Sequence, residues 1–282
     1  MIEIITDIEK MRQLSMARRS EGFRVGLVPT MGSLHEGHLS LVKRANDTTD
    51  FVVVSIFVNP IQFGHGEDFN RYPRDIESDM RLLETVGAHV IFAPDKTLIY
   101  PPGYSSYVLV ERLTEGLCGC SRPGHFRGVT TVVIKLFNIV MPHVAVFGQK
   151  DAQQLAVIKR MTKDLNMDIE IDVGPTIREP DGLAMSSRNS YLNQEERQQA
   201  TVLYKALCTG EKLVKSDVIN SQEIIKKVRE VFTESPLAKI EYIEIVGIED
   251  MMPVDDVSGG ALLAIALWFS TTRLIDNIVL SR

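Results

Sequence analysis

The fold is decided by two stretches, RVGLVPTMGSLHEGH at residues 24–38 and FVVVSIFV at residues 51–58. The first passes from an apolar strand pattern, through a Pro-Thr-Met-Gly turn, into helical spacing that runs from Ser33 to about Thr48. The second is a continuous β-branched and aromatic run ended by Asn59, as expected of a strand buried on both faces. The order strand, helix, strand predicts a parallel sheet.

The same alternation continues to about residue 173. We therefore expect an α/β fold with a Rossmann-like parallel sheet, helices on both of its faces, and ligands beyond the carboxyl ends of the strands. Further helices are predicted over 75–86, 129–140 and 151–165, and further strands over 89–92, 144–147 and 169–173.

The second half of the chain changes character after a turn-rich stretch, residues 174–182. Helices followed by strands indicate a second, smaller α+β domain, so we expect a nucleotide-binding domain over 1–175 and a C-terminal domain over 176–282. The predicted helices are 194–214 and 222–232, with capping spacings at Asn193/Glu196 and Asn220/Glu223, and the predicted strands are 240–246, 260–268 and 274–280.

Composition restricts the class of protein. The 282 residues are 44% hydrophobic and carry a formal net charge of -6, which argues against nucleic-acid binding by general electrostatics. The longest apolar runs are too short for a membrane span, and the start of the chain has no signal-peptide pattern. The three cysteines, Cys118, Cys120 and Cys208, cannot all pair and fit a reducing compartment, so a cytoplasmic protein is expected.

The first candidate site follows the first long strand. Ser33 and Glu36 have capping-box spacing, which predicts Ser33 as the N-cap of the helix and Glu36 as its partner. His35 and His38 then share one helix face beside the positive end of the dipole, where imidazoles can donate to phosphate oxygens. A zinc pair is disfavoured, since H-x-x-H lacks the H-E-x-x-H spacing and a third ligand.

Two further stretches carry polar groups at turns. Lys150 stands near a predicted helix start, where it opposes the dipole but can meet an anion. Asp151 and Gln154 beside it also have a capping spacing. The run GLAMSSRN, residues 182–189, offers two hydroxyls and a guanidinium, which suit phosphate, although a plain turn is the alternative.

The motifs together resemble the pantoate–β-alanine ligase family. They are PTMGSLHEGH, SIFVNPIQF, YPRD, SRPGHFRGV, FGQKDAQQL, DGLAMSSRN and RLIDN, in family order from residue 24 to residue 277. The H-x-G-H element alone indicates only the wider nucleotidylyltransferase group. The resemblance implies a Rossmann-like domain, a smaller C-terminal lid and a homodimer. It also implies an AMP-forming ligase that uses ATP and Mg²⁺ to make pantoyl adenylate, then pantothenate by attack of β-alanine.

The resemblance also implies roles for individual residues, with His38 as a proton donor, Ile177 on adenine and Asp151 on the ribose. Gln149 stands where the family commonly has glutamate, and Asp79 is a candidate magnesium-side carboxylate. The implied catalytic residues are His35, His38, Lys150, Ser187 and Arg188. The implied ATP-binding residues are Met31, Gly32, Ser33, Leu34, His35, Glu36, Gly37, His38, Gly148, Gln149, Lys150, Asp151, Ile177, Met185, Ser186, Ser187 and Arg188. The implied pantoate and β-alanine residues are Pro29, Thr30, Asn59, Gln62 and Gln154.

Two other functions remain open on the residues alone. A plain adenylyltransferase, indicated by H-x-G-H, would leave a stable dinucleotide-type product and release no AMP. A non-catalytic nucleotide sensor would bind ATP without turnover, although a sensor has no need of paired imidazoles, a lysine and a Ser-Ser-Arg loop. A tRNA ligase is disfavoured, because the chain lacks the length and the basic face for it.

Overall fold

The structure is a computed structural model that describes residues 2–64 and 66–282. The chain forms two compact units. The first comprises Met1–Glu111, Arg122–Gln149 and Val157–Pro175, and the second comprises Arg112–Ser121, Lys150–Ala156 and Thr176–Arg282. The predicted division after residue 175 stays a prediction, and two short segments before that position, 112–121 and 150–156, belong to the second unit.

The first unit contains a parallel sheet, which among the described residues has six strands in the order β1-β4-β3-β2-β5-β6. The strands are β1 Glu3–Ile5, β2 Val25–Thr30, β3 Phe51–Ile56, β4 Val90–Phe92, β5 Val144–Gly148 and β6 Glu170–Gly174. The helices of this part of the chain are α1 Ile8–Ser20, α2 Glu36–Thr48, α3 Ile76–Thr85, α4 Lys96–Ile99, α6 His125–Val140 and α7 Ala152–Asp164. A short helix of the second unit, α5 Leu117–Ser121, precedes α6.

Strand order locates the ligand-binding edge of this sheet. The chain leaves β2 toward β3 on one side, and β5 pairs with β2 on the other, through Gly26↔Val144 and Leu27↔Ala145. Such a reversal of strand order opens a crevice at the carboxyl ends of β2 and β5, where doubly wound folds bind their ligands. The segments that leave this edge are the loop after β2 and the turn after Gly148.

The second unit is built on an antiparallel sheet of three described strands, β7 Lys239–Val246, β8 Ala261–Phe269 and β9 Thr272–Leu280, in that order. Three helices accompany it, α8 Gln194–Gln199, α9 Val202–Lys215 and α10 Ser221–Val231. Aliphatic side chains of α9, α10 and the sheet form one buried cluster. Gly210 lets α9 approach the sheet, since a Cβ there would lie 2.5 Å from Leu263 Cδ2.

The predicted α/β core and the smaller α+β unit are both confirmed, and most elements agree within a few residues. The single helix predicted over 194–214 is wrong, because the chain turns at Ala200–Thr201 between α8 and α9. Side-chain hydroxyls donate to the backbone carbonyls at this turn, from Thr201 Oγ1 to Gln198 O and from Ser235 Oγ to Gln199 O. The elements β1 and α1 and the short helices α4 and α5 were not predicted. Across the described chain, none of the helices is long and apolar enough to cross a membrane.

Candidate active site

The loop after β2, residues 31–35, adopts a backbone that few sequences allow. Gly32 has φ +78° and Ser33 has φ +52°, both in the left-handed region. A Cβ on Gly32 would lie 2.9 Å from Asp79 Oδ2 and 3.0 Å from Ile56 Cγ2, so this position requires glycine for space as well as for conformation. The loop is therefore pressed against the first turns of α3 and the end of β3.

Asp79 holds this loop. The Ser33 and Leu34 amides donate to its Oδ2 and Oδ1, at 3.0 and 2.8 Å, and the residue is only 2% exposed. Burial raises the pKa of the Asp79 carboxyl above its usual value, although the two N–H donors act against burial. Its role as a magnesium-side carboxylate stays a prediction. Within residues 2–64 and 66–282, no group of three or more His, Cys, Asp or Glu side chains could hold a metal ion.

The two histidines themselves cap helix α2. His35 is the N-cap, its Nδ1 accepting from the Gly37 amide at 3.1 Å, and His38 Nδ1 accepts from the His35 amide at 3.4 Å. The prediction of Ser33 as the N-cap with Glu36 as its partner is therefore wrong. Glu36 is instead an exposed first-turn residue, with its carboxylate 3.9 Å from Lys43 Nζ.

These caps determine the tautomers of the rings. An imidazole nitrogen that accepts a hydrogen bond carries no proton, so the neutral forms of His35 and His38 both carry their proton on Nε2. The two ring centroids lie 4.1 Å apart. The start of α2 thus combines two Nε2–H donors with the positive end of the helix dipole, an arrangement suited to phosphate oxygens.

A second polar set follows β3. Asn59 is 1% exposed and uses its amide within the protein, because Nδ2 donates to Gln62 Oε1 at 2.9 Å and to Gly128 O at 3.0 Å. Tyr100 OH donates to Asn59 Oδ1 at 2.9 Å. Gln62 Nε2 in turn donates to Met31 Sδ at 3.0 Å. The structure therefore brings together Met31, Asn59 and Gln62, three of the predicted site residues.

The backbone of Gln62 is held by residues that the sequence did not assign. His125 Nδ1 lies 2.8 Å from Gln62 O, so this nitrogen carries the proton. Its Nε2 lies 3.1 Å from Arg122 Nη1, and Arg122 makes a bidentate pair with Glu67. Burial would raise the pKa of Glu67, but the hydrogen bond and charge of Arg122 outweigh it and lower that pKa. The SRPGHFRGV motif was the sequence signal for this group.

In the second unit, Lys150 and Asp151 lie in a turn before α7, with Lys150 Nζ 3.9 Å from Asp151 Oδ1. The carbonyl of Lys150 accepts from Asn277 Nδ2 at 2.7 Å. Gln154 is half-buried on the first turn of α7. Gly148 and Gln149, which precede this turn, belong to the first unit.

The Ser-Ser-Arg loop is preceded by a tight hairpin-like turn. Arg178 and Ala184 form a bridge, and Met185 N donates to Ile177 O at 3.0 Å. Ser186 caps the 3-10 turn Ser187–Tyr191, its Oγ accepting from Arg188 N at 3.3 Å. Ser187 and Arg188 therefore lie in a hydrogen-bonded 3-10 turn, not in an irregular connection. The adenine contact of Ile177 stays a prediction.

Known proteins resemble this chain over its whole length. The family model described as Pantoate-beta-alanine ligase matches residues 3–279. The pantothenate synthetase of Heliobacterium modesticaldum is 54% identical over 278 residues, and that of Acetivibrio thermocellus is 52% identical over 278 residues, each match covering 99% of both chains.

Solved structures agree with these matches. The crystal structure of pantothenate synthetase from Thermus thermophilus has a TM-score of 0.93 at 43% identity, covering 98% of this chain and 99% of that one. A pantoate–β-alanine ligase from Francisella tularensis, complexed with "Beta-gamma ATP" and β-alanine, has a TM-score of 0.81 at 34% identity, covering 99% and 98%. On a family match to residues 3–279 and relatives above 50% identity, this chain belongs to the pantoate–β-alanine ligase family.

Proposed function

We propose that this chain condenses pantoate with β-alanine, using ATP, to give pantothenate, AMP and pyrophosphate through an enzyme-bound pantoyl adenylate. The chain is an enzyme of the ligase family, and its substrates are those in the family's name. The observation that carries the proposal is the pair of capping imidazoles at the carboxyl edge of a doubly wound sheet, in a chain that matches the family from end to end.

The first step needs donors rather than a base. The pantoate carboxylate is already ionised at neutral pH, so it attacks the α-phosphorus of ATP directly, and the bond to the leaving pyrophosphate breaks. Negative charge grows on the phosphate oxygens during this step. Donors held in advance stabilise that charge, and the Nε2–H groups of His35 and His38 are placed for this by their caps. His38 assists the departure of pyrophosphate by donating a hydrogen bond from Nε2–H to the oxygen on which charge develops.

Three further residues are proposed to act on the phosphates. Lys150, Ser187 and Arg188 bind ATP phosphates, where a guanidinium and an ammonium complement developing charge. Asp151 binds the ribose, and Ile177 contacts adenine through its backbone. The amine of β-alanine then attacks the acyl carbon of the adenylate, which forms the amide and releases AMP.

Side-chain amides bind pantoate. Gln62 and Gln154 are the two that contact it, and Pro29 and Thr30 complete the set at the end of β2. Asn59 acts through Gln62, because its own amide is bonded to Gln62, Gly128 and Tyr100.

Three finer properties belong to the same proposal: a cytoplasmic location, a homodimer and a requirement for Mg²⁺. When bound with ATP, magnesium would supply charge neutralisation at the phosphates, and it needs only one or two protein carboxylates for this. The candidate carboxylate is Asp79, whose two oxygens each accept a backbone N–H from the loop that precedes His35.

The decisive experiment is ATP–pyrophosphate exchange. We expect exchange that depends on pantoate and proceeds without β-alanine, because the adenylate forms before the amine is used. His38→Ala should lower exchange by about 100-fold or more and change ATP affinity far less, if His38 acts in the transition state. Lys43→Ala, an exposed change on the same helix, is the matched control and should behave as the parent.

Each alternative function has its own result in this assay. A stable dinucleotide-type product without release of AMP would indicate a plain adenylyltransferase. ATP binding by folded protein with no exchange at all would indicate a nucleotide sensor, and either result would overturn the ligase.

A further inference from the structure

The closing motif RLIDN, residues 273–277, lies in strand β9 and has no role in the chemistry above. We propose that its last two residues, Asp276 and Asn277, are positioning residues that hold the phosphate-binding groups of the second unit, Lys150 and the Met185–Arg188 loop. The inference rests on the proposed ligase function, because that function gives those groups their task.

Asn277 holds the start of α7. Its Nδ2 donates to Lys150 O at 2.7 Å, across 127 positions of sequence, and the residue is 6% exposed. A lysine at a helix start opposes the dipole, so local interactions do not favour its place there. A buried amide donor on the carbonyl of Lys150 holds the backbone from which the ammonium projects.

Asp276 holds the turn that leads into the Ser-Ser-Arg loop. Its carboxylate is bidentate with Arg178, at 2.6 and 3.1 Å, and it is 2% exposed. Arg178 Nη1 also donates to Gly182 O at 3.1 Å, which ties together the two sides of the turn over residues 178–184. The same turn fixes Met185, because Met185 N donates to Ile177 O.

The contacts of Asp276 with Arg178 and of Asn277 with Lys150 are linked, because they start from consecutive residues of one strand. Asp276 Oδ1 also accepts from the backbone N of Asn277 at 2.8 Å, so the two residues are coupled directly. Strand β9 is an edge of its sheet, and the 3-10 turn Ser187–Tyr191 contacts it. A displacement of β9 would therefore move the Lys150 backbone and the Ser-Ser-Arg loop together.

The test is a double-mutant cycle on ATP affinity, measured by calorimetry with ATP alone so that no turnover occurs. Asn277→Ala should weaken ATP binding by about tenfold in the parent but by less than about twofold in a Lys150→Ala background, because it acts through Lys150. Asp276→Asn should likewise weaken ATP binding in the parent, and should weaken it much less in an Arg188→Ala background. Glu241→Gln is the matched control, since it breaks a half-buried arginine pair in the same sheet without touching Lys150 or residues 178–188, and it should leave ATP affinity unchanged.

Equal losses from Asn277→Ala in both backgrounds, or parental affinity in the single variant, would overturn the inference. Should Asn277→Ala fail to fold, the near-isosteric Asn277→Asp, which turns the donor into an acceptor, is run through the same cycle with the same criteria. Failure of the ligase function is seen separately, as absence of pantoate-dependent exchange in the parent protein.

Discussion

Replacement of Asp79 separates two roles for this carboxylate, support of the histidine loop and ligation of magnesium. Asp79 accepts one N–H on each oxygen, from Ser33 at 3.0 Å and Leu34 at 2.8 Å. Charge-assisted hydrogen bonds contribute about 1.5–3 kcal/mol each, and the burial that raises the carboxyl's pKa offsets part of that sum. We expect Asp79→Ala to lower the free energy of unfolding by about 2–4 kcal/mol.

Asp79→Asn is the sharper variant, because it keeps the shape and one acceptor while it turns an NH₂ group toward the second amide. The left-handed backbone at Gly32 and Ser33 then loses one of the two hydrogen bonds that the loop makes to Asp79. We expect the free energy of unfolding to fall by about 1–3 kcal/mol. Because this loop positions His35 and His38, we also expect pantoate-dependent exchange to fall by about 100-fold. Asp75→Asn is the control, since Asp75 is an exposed cap on the same helix and asparagine caps equally well.

The measurements are thermal unfolding without ATP or metal, and pantoate-dependent exchange over a range of Mg²⁺ concentrations. A supporting role predicts a lower melting temperature without metal, and lower exchange that added Mg²⁺ does not restore. Parental melting of Asp79→Asn together with exchange restored by high Mg²⁺ would refute this reasoning and make Asp79 a metal ligand.

Two further predictions concern the second unit. Gly182→Ala should destabilise the protein by about 3 kcal/mol or more, because φ is +94° and the added Cβ would lie 2.1 Å from Tyr204 Cδ1; urea unfolding measures this, with Gly259→Ala, which meets nothing within 4 Å, as the neutral control. Burial alone would raise the pKa of Glu241, but Arg273 and other donors lower it from 4.5 to about 2. Its contribution, about 3 kcal/mol, is therefore complete above pH 4.5 and is lost as the pH falls toward 2. Glu241→Gln should flatten the fall in unfolding free energy across that window, and an unchanged slope would contradict this assignment.

The order of strands and helices was predictable because each element carries its own apolar pattern. The composition of residues 51–58 predicts a buried strand, and β3 occupies residues 51–56 of that run. The capping pairs Asn193/Glu196 and Asn220/Glu223 are also local, and both asparagine side chains cap their helices as predicted. Local signals of this kind are readable without the fold.

The cap of α2 was not predictable in that way. Ser33 and Glu36 have the spacing of a capping box, yet Ser33 takes a left-handed conformation whose amide donates to Asp79, 46 positions away. Because Ser33 is bonded to Asp79 in this way, His35 is the N-cap of α2 and His38 completes the capping box. The contact from Asn277 to Lys150 spans 127 positions, so no local pattern could indicate it. The resemblance to the family gave the set of candidate site residues. Only the structure shows which of these residues are hydrogen-bonded by distant parts of the chain.

The caps of α2 also bear on the acidic net charge. ATP and pantoate are anions and the chain carries -6, so their binding depends on local donors rather than on the field of the whole protein. In the proposed site, His35 and His38 act as donors while neutral, since protonation at Nδ1 would turn each cap acceptor into a donor facing a backbone N–H. The start of α2 therefore offers oriented neutral donors at the positive end of a helix dipole. We expect this helix start to bind phosphate through the direction of its two Nε2–H groups, and to keep its cap only while both imidazoles are uncharged.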